Sequence, residues 1–341
     1  MNRKQRRTAA KTTRTAAGNT GKGKAAPTSL ADAVVQKAIA AAQAGAMAEA
    51  EAALDEVLAR YPTHIEAMHH KGMLMARGER IAEGIALLQR VVEAKGDEAL
   101  YWNNLAAALL TASRPGDALP AAQAATRLDP KYIMAWQNLA MGLAELKRFR
   151  EQADALRQVA ELAPHDADNW NQLGLAELEI GNAEASEAAF RHAIAEGKGK
   201  AEFLSNLGVL LAQRNRMAEA LPHLEAALNL EPDRFSAALH FGLAQASAGD
   251  YAKALRWLRR ATSIRPRSDD AWANLADVAE KAGEQAEALD AARRAATIAP
   301  DKHGHRQRLD RLGRQATVVA PQTTVGDAAV PASKLGQIFI R

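Results

Sequence analysis

The chain has 341 residues, 48% of them hydrophobic but only 4% aromatic, and a net charge of +4. Alanine and leucine therefore supply most of the apolar surface. With Glu, Arg and Gln they favour helix, because such side chains lose little freedom on a helix surface, and an all-α fold is the expected class. The absence of cysteine excludes disulfides, thiolate zinc sites and cysteine nucleophiles, and no run approaches the roughly 18 apolar residues of a transmembrane helix.

In chain order, residues 1–30 come first. Arg3, Lys4, Arg6, Arg7, Lys11, Arg14, Lys22 and Lys24 stand there without a single acidic residue. Such a composition cannot bury enough apolar surface to offset chain entropy, so a disordered basic arm is expected. It lacks the apolar core of a secretory signal. A solubilising or targeting tail is its plainest reading, and an anionic partner such as nucleic acid or a membrane surface the weaker alternative. The alanine-rich sequence and the opening Met1-Asn2-Arg3-Lys4-Gln5-Arg6-Arg7 look similar to bacterial proteins, which points to a bacterial cytoplasm. Between residues 32 and 300 there are 29 basic and 37 acidic side chains, a net of −8, so a mildly acidic body carries basic ends.

From residue 31 the sequence repeats. Trp102, Trp136 and Trp170 are 34 residues apart and Trp272 falls in the same phase; Pro62, Pro130, Pro164, Pro232, Pro266 and Pro300 share another. Eight repeats follow without insertion: 31–64, 65–98, 99–132, 133–166, 167–200, 201–234, 235–268 and 269–302. Position eight is always small (Ala38, Gly72, Ala106, Ala140, Gly174, Gly208, Gly242, Ala276), as expected where two helices approach closely. Position twenty is small except for Gln152, which has Ala153 beside it. Position twenty-four holds large residues such as Leu88, Leu156, Phe190, Leu224 and Leu258, and position twenty-seven is compact and apolar. Gly45, Gly78, Gly181, Gly249 and Gly283 mark the turn inside their repeats, and the prolines end the second helices. The tryptophans, Trp136 among them, are expected in the core.

These columns resemble the tetratricopeptide-repeat pattern, well shown by Trp170-Asn171-Gln172-Leu173-Gly174 followed by Phe190. The resemblance covers about four-fifths of the chain. It implies a right-handed superhelical solenoid of eight helix-turn-helix repeats, with first helices lining a concave groove and second helices outside. The first repeat, with Lys37 where leucine is usual, is expected to be a polar-faced cap, since terminal repeats solvate the ends of an array. Residues 303–316, with Leu309 and Leu312, are expected to form a cap helix and 317–341 a flexible tail, whose Ile338-Phe339-Ile340 patch is too short to make a domain.

Little in the chain points to chemistry. No phosphate-binding or dinucleotide-binding glycine fingerprint occurs, and Gly197-Lys198-Gly199-Lys200 lacks the flanking strand a phosphate loop needs. His69-His70 and His303-Gly304-His305 have no carboxylates at metal-ligand spacing. No catalytic residue, metal or cofactor is expected, and the chain is not expected to be an enzyme.

Position six is the column that suggests function. It reads Gln36, His70, Asn104, Asn138, Gln172, Asn206, His240 and Asn274, all able to hydrogen-bond. Lying between core positions four, seven and eight of the first helix, it should face the groove. An amide there can donate to a peptide carbonyl and accept from a peptide N–H at once. The column resembles the asparagine ladder of O-linked N-acetylglucosamine transferases, which holds substrate polypeptides. The resemblance reaches Asn104, Asn138, Asn206 and Asn274, with Gln172 and His240 as weaker stand-ins, while the catalytic region of those enzymes is missing. Such amides are expected to make few bonds within the chain. The carboxylate clamp of chaperone-binding repeats is disfavoured, because position five holds no lysine. Position nine adds an apolar strip, Ile39, Met73, Ala107, Met141, Leu175, Val209 and Leu243, broken by Asp277; methionines at such spacing usually belong to a core. The expected function is a scaffold or adaptor binding extended segments of partner proteins. The alternative is a substrate-recruiting part of a larger enzyme system such as a protein glycosyltransferase.

Overall fold

The computed structural model describes residues 30–197 and 199–319. Residues 1–29 of the basic arm, Lys198 and the tail beyond residue 319, with its Ile338-Phe339-Ile340 patch, lie outside the described residues, and Leu30 opens the first helix. The chain divides into two compact units, Met1–Ala163 and Pro164–Arg341. Among the described residues there are 17 helices and no strand, so the all-α class read from composition holds. No helix among them is long and apolar enough to cross a membrane.

The first unit contains α1 (Leu30–Gln43), α2 (Met47–Arg60), α3 (Ile65–Arg77), α4 (Ile81–Ala94), α5 (Ala99–Thr111), α6 (Pro115–Leu128), α7 (Ile133–Glu145) and α8 (Phe149–Leu162). The second contains α9 (Ala167–Glu179), α10 (Ala183–Glu196), α11 (Ala201–Gln213), α12 (Met217–Leu230), α13 (Phe235–Ser247), α14 (Tyr251–Ile264), α15 (Asp269–Ala282), α16 (Gln285–Ile298) and α17 (His303–Val319). Odd-numbered helices from α1 to α15 are the first members of each pair, and α17 follows the last pair. Within each unit every first helix packs on its own second helix, which packs on the next first helix.

Small residues allow the close pairing. A Cβ added to Gly174 would lie 2.5 Å from the Phe190 ring, and one added to Gly84 2.6 Å from the Gly72 carbonyl oxygen. Leu88, Leu156, Phe190, Leu224 and Leu258 are fully buried at the opposing position. In the fourth repeat Ala153 takes the buried place while Gln152 is half-exposed. The turn after the first helix holds a left-handed residue in seven of the eight repeats. Gly45, Gly181, Gly249 and Gly283 provide it, whereas Ser113, Lys147 and Asn215 adopt φ of 54°, 57° and 59° at the same place. Gly78 does not; its φ is −104°.

The tryptophans correct the sequence reading. Trp102, Trp136, Trp170 and Trp272 are half-buried rather than core residues. Each indole N–H donates to a backbone carbonyl six residues earlier: Gly96, Pro130, Pro164 and Pro266, at 2.8–2.9 Å. The tryptophan and proline columns share a period because one tethers the turn that the other creates. A second recurring device lies at the start of the second helices. Arg80, Arg114, Arg148 and Arg216 stand at the N-cap without a side-chain cap bond. Each guanidinium instead pairs with the carboxylate three residues on, Glu83, Asp117, Glu151 or Glu219, which itself lies favourably in the first helical turn.

The two ends of the described structure differ. At the first repeat exposed Gln36 and Lys37 are joined by apolar surface: Leu30, just before the repeat, is 74% exposed and Tyr61 46%. They border an open cleft of about 400 Å³ with Val34, Ala59 and Arg60. The opposite end is covered by α17, which runs three residues beyond the expected 303–316. Its Leu312 is fully buried, and Arg308 grips Asp277 through Nε and a terminal nitrogen at 2.5 and 2.7 Å. That contact accounts for the aspartate that interrupts the apolar column at position nine.

Candidate functional site

Positions two, six and nine of a first helix share one face, since they are four and three residues apart. In the first unit the face carries the ladder residues Gln36, His70, Asn104 and Asn138; in the second, Gln172, Asn206, His240 and Asn274. Gln36 and Gln172 are exposed and the other six are half-buried. Position five, one residue earlier, is buried between neighbouring first helices at His69, Asn103, Asn171, Ser205, Leu239 and Ala273.

The expectation that the ladder makes few bonds within the chain is overturned at three positions. Asn104 Nδ2 lies 2.7 Å from His69 Nε2, Asn138 Nδ2 donates to Asn103 Oδ1 at 2.8 Å, and Asn206 Nδ2 donates to Asn171 Oδ1 at 2.8 Å. Position six of one repeat thus braces position five of the repeat before it. The buried acceptor needs a partner once water is excluded, and an asparagine one repeat later provides it. Where position five is apolar the brace is missing. Asn274 follows Leu239 and makes no side-chain hydrogen bond among the described residues. His240 follows Ser205, which pairs with Ser236 at 2.9 Å, and His240 Nδ1 turns to the Ser236 carbonyl, also at 2.9 Å.

Burial holds the face's histidines neutral. His69, packed 4.9 Å from the rings of both His70 and Tyr101, has its pKa lowered to about 4, first by desolvation and then by His70. Desolvation also lowers His70 and His240. Neutral imidazoles keep one nitrogen as an acceptor, which is what His69 presents to Asn104.

Apolar side chains surround the amides in the first unit. Met141 at position nine is exposed and Met73 is half-buried, so these methionines are surface residues and not core; Leu175, at position nine in the second unit, is exposed as well. Leu100 and Met134 at position two are 47% and 57% exposed. Reading position two as a column would have revealed them; in the second unit the same column is Asp168, Glu202, Ser236 and Asp270.

The histidine pairs also look different once folded. Asp269 lies 36 residues from His305, yet its Oδ2 is 2.8 Å from His305 Nε2. With Asp270, ligand atoms of three residues fall within 4.8 Å of one another. Lys302 Nζ contacts both carboxylates, at 2.5 and 3.1 Å, so an ammonium occupies the charge centre. That ammonium, ahead of His305, pulls the Asp269 pKa down to about 2.

Tetratricopeptide-repeat family models match residues 41–109, 167–195, 200–267 and 239–303. The chain belongs to the tetratricopeptide-repeat family. No curated protein matches it. Among solved structures it is similar to the Cut9–Hcn1 hetero-tetramer of APC/C, at 17% identity and a TM-score of 0.54 over 82% of this chain. The chain spans 55% of the length of that relative. YrrB, described as a tetratricopeptide-repeat protein with an unusual peptide-binding site, is 20% identical over 54% of this chain and 95% of its own, with a TM-score of 0.48. MamA of Desulfovibrio magneticus RS-1 is 18% identical over 50% and 96%, with a TM-score of 0.46.

Proposed function

We propose that the protein is an interaction scaffold or adaptor, not an enzyme, and that the first-helix faces take extended segments of partner proteins. Asn104, Asn138 and His70 would contact the segment in the first unit, and Gln172, Asn206, His240 and Asn274 in the second. The observation that carries this reading is a half-exposed polar column at regular spacing beside exposed Leu100, Met134 and Met141. Amides supply hydrogen bonds to any backbone, and adaptable methionines accept varied side chains.

Asn274 provides a clean test, because its side chain supports no neighbour. Partner segments isolated with the full chain are measured against Asn274→Ala and Asn138→Ala. Asn274→Ala should leave melting unchanged and weaken a segment seated on the second unit by about 0.5–1.5 kcal/mol, one hydrogen bond. Asn138→Ala should weaken binding to the first unit and lower stability as well. Unchanged affinity in both variants rejects the reading.

A further inference from the structure

The braces have a polarity, and one carboxylate sets it. Glu202 is acceptor-only, so Asn171 must turn Nδ2 towards it, at 3.3 Å. Asn171 Oδ1 is thereby left facing the next first helix, where it receives Asn206 Nδ2. Asn206 consequently points its nitrogen inward and its carbonyl oxygen away, and no hydrogen bond from the described residues reaches that oxygen.

The first unit arrives at the same polarity with other groups. Asn103 Nδ2 faces the Tyr132 hydroxyl at 3.2 Å and Asn104 Oδ1 at 3.4 Å, and its Oδ1 accepts Asn138 Nδ2. His69 offers an imidazole nitrogen where Asn103 and Asn171 offer a carbonyl. His240 reaches the same result alone: a carbonyl can only accept, so Nδ1–H donates to Ser236 and Nε2 is left as an acceptor.

We infer that Asn103 and Asn171 are positioning residues, which hold Asn138 and Asn206 with the carbonyl oxygen presented, so that the face accepts backbone N–H groups of an extended partner, whereas the Asn104 oxygen already receives Asn103 Nδ2. This rests on the proposed peptide-binding function and narrows it. Partner segments must bring a free N–H to each braced amide, so proline is excluded at those registers. An unbraced amide such as Asn274 can turn either way and discriminates less.

The test uses short synthetic peptides selected from a random library on the full chain. The tightest binder is remade with a backbone N-methyl group at each position in turn. N-methylation at the registers facing the braced amides should weaken binding about tenfold or more, since a desolvated acceptor is left unpaired. Asn103→Leu and Asn171→Leu, checked for folding by circular dichroism, free Asn138 of the first unit and Asn206 of the second separately. The variant in the unit that seats the peptide should weaken the unmethylated peptide and flatten the methylation profile. Histidine at the same position, copying His69, should restore both. A binder indifferent to N-methylation throughout, or unaffected by either leucine variant, overturns the inference while leaving peptide binding intact. If no peptide binds, the proposed function falls and the inference with it.

Discussion

The two units present different chemistry on the same face. The first is amide and thioether: Asn104 and Asn138 stand among Leu100, Met134 and Met141. At position two the first unit reads Asp32, Glu66, Leu100 and Met134, whereas the second reads Asp168, Glu202, Ser236 and Asp270 and has no apolar residue there. Two of these carboxylates are already matched, Asp168 by Lys200 at 2.8 Å and Asp270 by Lys302 at 3.1 Å. Glu202 instead orients Asn171. The acidic residues of the second unit therefore organise its repeats, whereas the exposed methionines of the first have no structural partner to satisfy. One repeat pattern can pack its helices in the same way and still vary what it offers a ligand, because close packing constrains positions eight, twenty, twenty-four and twenty-seven and lets the residue type at two and nine vary.

The largest expected effect separates packing from tethering. Phe190→Ala in the second unit removes a fully buried ring wedged against Gly174 and should cost about 3–5 kcal/mol in a denaturant titration. Trp136→Ala in the first removes a half-buried ring and one hydrogen bond to Pro130, and should cost less, about 1–3 kcal/mol. Equal losses would mean that the indole tether matters as much as the core.

Acid should divide the units next. His69 is held neutral in the folded state with a pKa of about 4 against 6.5 unfolded. Between those values the unfolded chain binds the proton more readily, so this stabilisation is full above pH 6.5 and is lost as pH falls to 4. The loss should approach about 3 kcal/mol, taking ~1.4 kcal/mol per pH unit. Hydrogen exchange at falling pH should open α3 and α5 early, and His69→Asn, which copies the second unit, should remove the effect. If His69→Asn opens at the same pH, other groups control the transition.

A smaller effect concerns ligand choice. Met134→Glu gives the first unit the character of the second and should weaken apolar peptides about tenfold, or 1.4 kcal/mol, with little change in melting. Retained affinity would show that position two does not face the ligand. Smallest is the turn. Lys147 at φ 57° replaces the glycine of Gly181, so Lys147→Gly should raise stability by about 0.5–1 kcal/mol, relieving a left-handed side chain. No rise in melting temperature would show the strain is absent.

Much of the molecule could be read without coordinates. The period, the small positions and the large opposing ones follow from the need to bring two helices together every 34 residues, a constraint that leaves its mark at fixed spacing. Even the position-six column was visible as a list of amides and imidazoles. Its bonds were not, since a brace such as Asn138 to Asn103 joins residues 35 apart, and nothing in residue type says which amide atom faces inward. The same limit hid Asp269 beside His305, Asp277 under Arg308, and the depth of the tryptophans. Spacing along the chain determined which residues share a face; only the stacking of one repeat on the next decided their partners, because burial, bond direction and charge compensation depend on groups that adjacent repeats bring from far away in sequence.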